Sequence, residues 1–228
     1  MAARVDVRKT YKLYIGGKFP RSESGRSYEV YAAPTRAGAS PKFLANASQG
    51  SRKDARDAVT AARGAQAGWA GATAYNRGQV LYRVAEVMEG RRAQFVEEVR
   101  ASEGVSPSKA DSLVSQAIDR WVWYAGWSDK LPQVLGGLNP VAGPFFNISA
   151  PEPSGVVAVL APQESSLLGL VSVIAPAIVT GNSVVVVSSK ERPLPAITLS
   201  ECLATSDVPG GVVNIVTGDA VEIAPWLA

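Results

Sequence analysis

Three short apolar runs rich in β-branched residues constrain the fold of this chain more than any other feature. They occupy residues 155–161, 183–188 and 212–218, and each is bounded by glycine, proline or asparagine. Continuous apolar runs of this length are typical of β-strands buried on both faces. The intervening residues 165–180 and 194–205 are long enough for helices that connect parallel strands. The sequence therefore predicts a parallel sheet with right-handed crossovers.

Sheets of this kind bind ligands beyond the carboxyl ends of their strands, where the connecting loops begin. We therefore expect functional residues in the loops at 162–165, 188–193 and 218–220. In a complete doubly wound sheet the first strand is central, with a fourth strand on its far side. The fourth strand is missing from this sequence, so residues 156–160 are predicted to form an unpaired, apolar edge.

The composition excludes several kinds of chemistry, because the chain has no histidine and only one cysteine, Cys202. Ser-His and Cys-His nucleophile pairs are impossible within it, and no metal site is expected. A single cysteine fits the reducing cytoplasm. The net charge is only +3, and the pairs Arg52–Lys53 and Arg91–Arg92 are interpreted as solvated helix faces. No nucleic-acid partner is therefore expected.

Residues 165–187 contain no charged side chain, which raises the question of a membrane span. Pro176 and the turn at 181–182 divide this stretch into two pieces. Each piece is shorter than the roughly 20 continuous apolar residues that a spanning helix needs. No membrane association is expected.

The region before the sheet is predicted to begin with an antiparallel pair of strands at 11–19 and 27–31, followed by a loop over 38–50. Helices should then start at Ser51, where Asp54 completes a capping box, and near Ala74. We expect the second helix to continue unbroken until Gly104 closes it.

A third helix should begin after Ser106-Pro107 and end in the aromatic stretch 121–127. That stretch could form an aromatic binding box, but core packing is the favoured interpretation, since the spacing suits one buried face.

The fold class expected from these patterns is α/β, with a helical layer packed on a partial Rossmann-like parallel sheet and a small β arm. Residues 1–135 would form an N-terminal hairpin and helices, and residues 136–152 a β arm whose strand is 145–150. Residues 153–228 would form the first, incomplete half of the sheet.

Several longer motifs resemble the amino-terminal half of the aldehyde dehydrogenase superfamily. The most specific is Tyr-Ala-Gly-Trp-Ser-Asp-Lys at 124–130, followed by Glu-Pro-Ser-Gly-Val at 152–156. Ala-Pro-Ala-Ile-Val-Thr-Gly-Asn at 175–182 and Pro-Gly-Gly-Val-Val-Asn-Ile-Val-Thr-Gly at 209–218 also look like the family, as does Tyr-Ile-Gly-Gly-Lys at 14–18. The resemblance covers essentially the whole chain.

The resemblance implies an enzyme in which a cysteine thiolate attacks an aldehyde, a glutamate and an asparagine assist, and hydride passes to NAD or NADP. The nucleophile and the glutamate of that mechanism would lie beyond residue 228, so no catalytic residue is assigned within the chain. Cys202 falls on the second crossover helix and is predicted to be a small buried residue.

This sequence departs from the family at the cofactor side of the sheet. Where the family has Pro-Trp-Asn it has Pro-Gln-Glu, and a carboxylate there would repel a developing oxyanion. Where the family has a lysine and a glutamate on the adenosine ribose it has Val187 and Lys190. The resemblance places cofactor-binding positions, mostly altered, at Pro162, Gln163, Glu164, Ser189, Lys190 and Gly218.

These departures favour a non-catalytic pseudoenzyme that assembles with a full-length aldehyde dehydrogenase subunit or domain, or with copies of itself. NAD or NADP is the cofactor implied by the resemblance, although binding by this chain should be weak or absent. One alternative is the amino-terminal portion of a genuine NAD(P)-dependent aldehyde dehydrogenase that oxidises aldehydes to carboxylic acids. The other is a nucleotide-binding or regulatory module without chemistry.

Overall fold

The structure is a computed structural model that describes residues 5, 9–34, 38 and 40–227. Its strands are β1 Thr10–Tyr11, β2 Ser27–Tyr31, β3 Phe43–Ser48, β4 Gly137–Leu138, β5 Ile148–Ser149, β6 Val156–Leu160, β7 Ser183–Val187 and β8 Val213–Val216. Its α-helices are α1 Arg52–Gly71, α2 Ala74–Gly90, α3 Arg92–Glu103, α4 Pro107–Trp127, α5 Leu131–Leu135, α6 Leu168–Val179, α7 Leu194–Ala204 and α8 Ala220–Ile223. A 3-10 turn follows at Ala224–Trp226. Among the described helices, none is both long and apolar enough to cross a membrane.

The predicted parallel sheet is confirmed, with strand order β6-β7-β8 and helices α6 and α7 as its crossovers. The central strand β7 is buried along its whole length. Val184 and Val186 belong to the main core, whereas Val185 and Val187 pack in a second apolar cluster with alanines of α1. Burial on both faces explains why this strand is an uninterrupted valine run.

The strand β6 lies at one edge of this sheet, with β7 as its neighbour among the described strands. Ala158 is exposed, and Leu160 keeps 53% of its surface accessible. The predicted apolar edge at 156–160 is therefore present in the structure.

The opposite edge of the sheet, at β8, is covered by the amino-terminal segment. Tyr14 and Ile215 exchange two backbone hydrogen bonds of 2.9 and 2.7 Å in an antiparallel bridge. The chain then reverses at Gly16 and Gly17, whose φ angles of 60° and 76° favour glycine. A Cβ atom on Gly17 would lie 2.9 Å from Gly210 Cα, so this turn also needs a close backbone approach.

The predicted pairing of residues 11–19 with 27–31 is wrong. β2 pairs antiparallel with β3, and β1 pairs parallel with β3. The predicted loop at 38–50 is also wrong over Phe43–Ser48, which forms the central strand of this small sheet. The residues that β3 buries include Ala45 and Ala47, whose small side chains give a weak strand pattern but allow close packing.

The helical layer largely follows the sequence. The capping box of α1 is present, with Ser51 and Asp54 each bonding the other's backbone, and Gly104 ends α3 in the left-handed conformation. The second predicted helix is not continuous, because Arg91 leaves helical geometry (φ −113°, ψ 16°) and separates α2 from α3. The Arg91 guanidinium hydrogen-bonds the side chains of Gln94 on α3 and Glu201 on α7.

The aromatic end of α4 is divided between core and surface. Trp121 is fully buried, as the core-packing interpretation requires, but Trp123 is 62% exposed. Its ring lies 6.0 Å from that of Trp127, so the two form a pair at the surface.

The β arm is shorter than predicted. The expected strand at 145–150 is reduced to β5, which pairs antiparallel with β4. Phe145 and Phe146 stand outside it, 74% and 81% exposed. The apolar run is present, but within the described residues only two of its members have a strand partner.

Candidate functional site

The carboxyl ends of β6, β7 and β8 bring the three predicted loops together. Gln163 is the centre of this arrangement. Its Nε2 donates to Ala161 O at 2.8 Å, and its Oε1 accepts from the backbone N of Lys190 at 3.1 Å. Its backbone carbonyl accepts from Ser189 Oγ at 2.8 Å. The loop after β6 is therefore fastened to the loop after β7.

Two ion pairs tie the charged side chains of these loops to one another. Lys190 Nζ lies 2.7 Å from Asp219 Oδ2, which joins the loop after β7 to the loop after β8. The hydrogen bond between them raises the pKa of Lys190 and lowers the pKa of Asp219. Arg192 lies 3.4 Å from the Glu164 carboxylate and also donates to the Glu164 carbonyl.

Gly218 adopts a φ of 133° at the end of β8, where a side chain would be strained. A Cβ atom there would lie 3.1 Å from Gly50 N and 3.3 Å from Ile223 Cδ1. The adjoining Asp219 caps α8 by accepting from Val221 N at 2.9 Å. This glycine therefore allows the chain to turn tightly from β8 into α8.

The end of β7 offers few free polar groups. Val187 is fully buried. Ser188 is 1% exposed, and its hydroxyl is left without a hydrogen-bond partner. Pro162 packs at the start of the next helix, where a Cβ atom on Gly169 would approach it to 3.1 Å.

Cys202 lies away from the loops, as a buried residue of α7. It is eight residues beyond Leu194, where α7 begins, which corresponds to about 12 Å of helix. Burial raises the pKa of its thiol to about 11. A protonated, inaccessible thiol is a poor nucleophile, and the prediction of a small buried residue is confirmed.

The structure thus places all six of the predicted site residues on loops at the carboxyl ends of the strands. Sequence reasoning did not single out Asp219 and Arg192, which neutralise Lys190 and Glu164. Both lie inside the loops expected to carry function, and their opposite charges were the available signal. Among the described residues, no cluster of acidic or cysteine side chains could hold a metal ion.

A parallel sheet covered by helices on both faces, with its loops gathered beyond the strand ends, defines a Rossmann-like α/β protein. Comparison with known families makes the assignment specific. Residues 22–228 match the aldehyde dehydrogenase family, and the chain belongs to that family.

The relatives agree with this assignment. The chain is 32% identical to human aldehyde dehydrogenase 1A1 over 219 residues, and 30% identical to omega-crystallin of Enteroctopus dofleini over 213 residues. These alignments cover 93% and 92% of this chain, but 42% and 41% of the relatives. The NAD⁺ complex of a Bacillus cereus aldehyde dehydrogenase superposes with a TM-score of 0.89 at 26% identity, over 96% of this chain and 44% of that one. The chain therefore spans about two fifths of the length of the relatives it matches.

The residues at the strand ends do not fit a dinucleotide well. The resemblance implies a lysine that bonds the ribose where this chain has Val187, which is fully buried and apolar. The next expected contact is a carboxylate acceptor, whereas Lys190 is a donor whose ammonium group is already hydrogen-bonded to Asp219. The Glu164 carboxylate, whose side chain is 92% exposed, stands where the resemblance implies an asparagine, and it pairs with Arg192 at 3.4 Å. A dinucleotide would bring its phosphate charges to these strand ends without its usual ribose contacts.

Proposed function

We propose that this chain is a non-catalytic, aldehyde dehydrogenase-like module of the cytoplasm that assembles with an active NAD(P)-dependent aldehyde dehydrogenase. The partner is a second polypeptide or another domain of the same one. In this assembly the partner carries the nucleophile and the cofactor, and the present chain supplies structure. One combination of features carries the proposal. Lys190 and Glu164 at the strand ends are paired within the chain, and β6 leaves an apolar edge of the sheet without a second neighbour among the described strands.

The strand-end site supports the non-catalytic part of the proposal. Its two ion pairs join loop to loop, so Lys190 and Glu164 are already paired within the chain. The thiol of Cys202 is buried and protonated at neutral pH. No thiolate or imidazole is therefore offered at the described strand ends.

The geometry of β6 supports the assembly part. The backbone N of Ala161 donates to Val187 O at 2.9 Å, so residues of odd number in this strand direct their backbone groups towards β7. The N–H and C=O groups of Ala158 and Leu160 consequently point away from β7. A partner strand laid alongside would satisfy these groups and bury the exposed Leu160 side chain.

A second candidate function follows from the extent of the alignments. The chain matches about two fifths of each relative, which also fits the amino-terminal portion of an aldehyde dehydrogenase that oxidises aldehydes to carboxylic acids. The remainder of such an enzyme would then supply the strand beside β6, the nucleophile and most of the cofactor contacts. Val187 and the Lys190–Asp219 pair would still weaken its hold on the ribose.

The experiment that tests the proposal combines activity with assembly. The chain is incubated with NAD or NADP and a panel of aliphatic and aromatic aldehydes, and formation of reduced nicotinamide is followed. We expect no turnover. The chain is then co-expressed with each complete aldehyde dehydrogenase of the same genome, and we expect one of them to co-purify at fixed stoichiometry.

Variants of the two components separate the outcomes. In the complex, replacing the partner's nucleophilic cysteine by serine should abolish turnover, whereas Cys202→Ala in this chain should leave it unchanged. Turnover by the isolated chain that disappears in Cys202→Ala would contradict the proposal. So would micromolar binding of NAD or NADP to the isolated chain in calorimetry.

A further inference from the structure

A basic cleft lies on the outer face of α1. Its volume is about 500 Å³. Arginines recur along α1 at intervals of four and seven residues, which places them on one face of the helix. Trp226 of the 3-10 turn closes one end of the cleft. The residues that line this basic cleft are Arg52, Lys53, Arg56, Val59, Thr60, Arg63 and Trp226.

The positive charge of the basic cleft is only partly neutralised. Lys53 pairs with Glu23 at 2.9 Å, and Arg56 pairs with Asp57 at 2.8 Å. All four of these side chains are at least 40% exposed, so the pairs are weak and open to exchange.

The other two cations of the basic cleft have no such partner. Among the described residues, no carboxylate lies within ion-pair distance of Arg52 or Arg63. Arg52 instead lies over the Trp226 ring, 4.4 Å from its centroid. The ring holds the Arg52 guanidinium in place without neutralising it.

The position of these cations is not explained by the stability of the helix. Arg52 and Lys53 stand in the first turn of α1, where the helix dipole disfavours positive charge. The helix obtains its cap from Ser51 and Asp54 instead. Residues that oppose a local preference are candidates for function.

We infer that the basic cleft binds an oligophosphate anion. Guanidinium groups make paired, charge-assisted hydrogen bonds to phosphate oxygens, and this cleft offers three of them with a lysine beside. Arg52 and Arg63 are separated by eleven residues, or about 16 Å along the helix. That length exceeds a single phosphate and suits a chain of several.

A single-stranded nucleic acid fits the basic cleft less well. Proteins that bind such strands stack successive bases on several aromatic side chains. The cleft has one aromatic residue, Trp226, and Arg52 covers one face of its ring. The anion can come from free polyphosphate or from the phosphate end of a nucleotide, and these sources share the chemistry that the cleft recognises.

The test is calorimetric titration of the chain with sodium tripolyphosphate, with ATP and with a single-stranded oligonucleotide in parallel. We expect saturable binding of tripolyphosphate that weakens as salt is added. The double variant Arg56→Ala/Arg63→Ala should lose at least about tenfold in affinity, since charged hydrogen bonds are removed. The matched control is Arg83→Ala, which removes an exposed arginine of α2 that pairs with Glu86 at 3.5 Å; its affinity should be unchanged.

The fluorescence of Trp226 gives a second measure of binding that does not rely on calorimetry. The fluorescence change on adding tripolyphosphate should be present in the wild-type chain and absent in Trp226→Phe. ATP that binds as tightly as tripolyphosphate, or less tightly, identifies a free phosphate chain, and tighter binding of ATP identifies a nucleotide as the source. Absence of binding, equal loss in Arg83→Ala, or a clear preference for the oligonucleotide would each overturn the inference.

Discussion

Replacement of Asn214 by alanine tests how the amino-terminal segment covers one edge of the sheet. The Asn214 side chain is fully buried on β8. Its Nδ2 donates to Gly211 O at 2.7 Å and to Val184 O at 3.2 Å, and its Oδ1 accepts from Gly16 N at 2.9 Å. One amide therefore joins the turn after Tyr14 to two strands of the sheet.

The expected loss of stability follows from these three hydrogen bonds. At about 1 kcal/mol net for each bond, Asn214→Ala should lower the free energy of unfolding by about 3 kcal/mol. For a chain of this size, that corresponds to a fall in Tm of about 6–12 °C. Asn214→Asp should lose at least as much, because it directs a carboxylate at two carbonyl oxygens.

Urea unfolding of dilute protein measures the change, and amide exchange at Ile215 shows whether the covered edge has opened. The matched control is Asn76→Ala, an exposed asparagine of α2, which should change the free energy of unfolding by less than about 0.5 kcal/mol. A loss below about 1 kcal/mol for Asn214→Ala, or wild-type stability for Asn214→Asp, would refute this account of the edge.

Three further predictions follow from buried groups and from the open strand. Burial raises the pKa of Tyr14 from 10 to about 12, so the fold favours its neutral form. The stability that this shift contributes is present below pH 10 and should be lost as the pH rises from about 10 to about 12. Because burial also raises the pKa of Tyr11 and Tyr28, Tyr14→Phe should make this part of the unfolding profile shallower without removing it. Cys202 should react with a thiol reagent in urea but scarcely in the native chain, and rapid native reaction would show that the thiol is accessible. Ala158→Pro should keep the chain folded, because the N–H of Ala158 points away from β7. Val159→Pro should lower the free energy of unfolding by about 3 kcal/mol or more, because it removes an N–H that faces β7. Equal effects of the two variants in thermal denaturation would show that the strand register is wrong.

The parallel sheet could be predicted from the sequence because its signal is local and strong. Val184 to Val187 form an uninterrupted run that only a strand buried on both faces requires. The strand β3 has the opposite character. Its buried residues include Ala45 and Ala47, which are compatible with strand, helix or loop, and only the tertiary packing decides between them. The break at Arg91 follows Gly90, and the Arg91 guanidinium bonds Glu201, which lies 110 residues away.

The candidate site was predictable in location but not in its internal bonding. The carboxyl ends of parallel strands lie on the same side of a sheet, so the three loops could be placed together from strand order alone. The pairing of Lys190 with Asp219 joins residues that are 29 positions apart, and no local pattern specifies it. The resemblance indicates that the cofactor positions are altered, and the structure shows that two of the altered residues, Lys190 and Glu164, pair with Asp219 and Arg192.

Amide hydrogen exchange along β6 tests the central claim most directly. It is measured for this chain alone and in its complex with the co-purifying aldehyde dehydrogenase. We predict that the amide of Val159 is protected in both samples, whereas those of Ala158 and Leu160 exchange rapidly alone and become protected in the complex. Rapid exchange at Ala158 and Leu160 in both samples, or a complex that forms undiminished with Ala158→Pro, would contradict assembly through this edge.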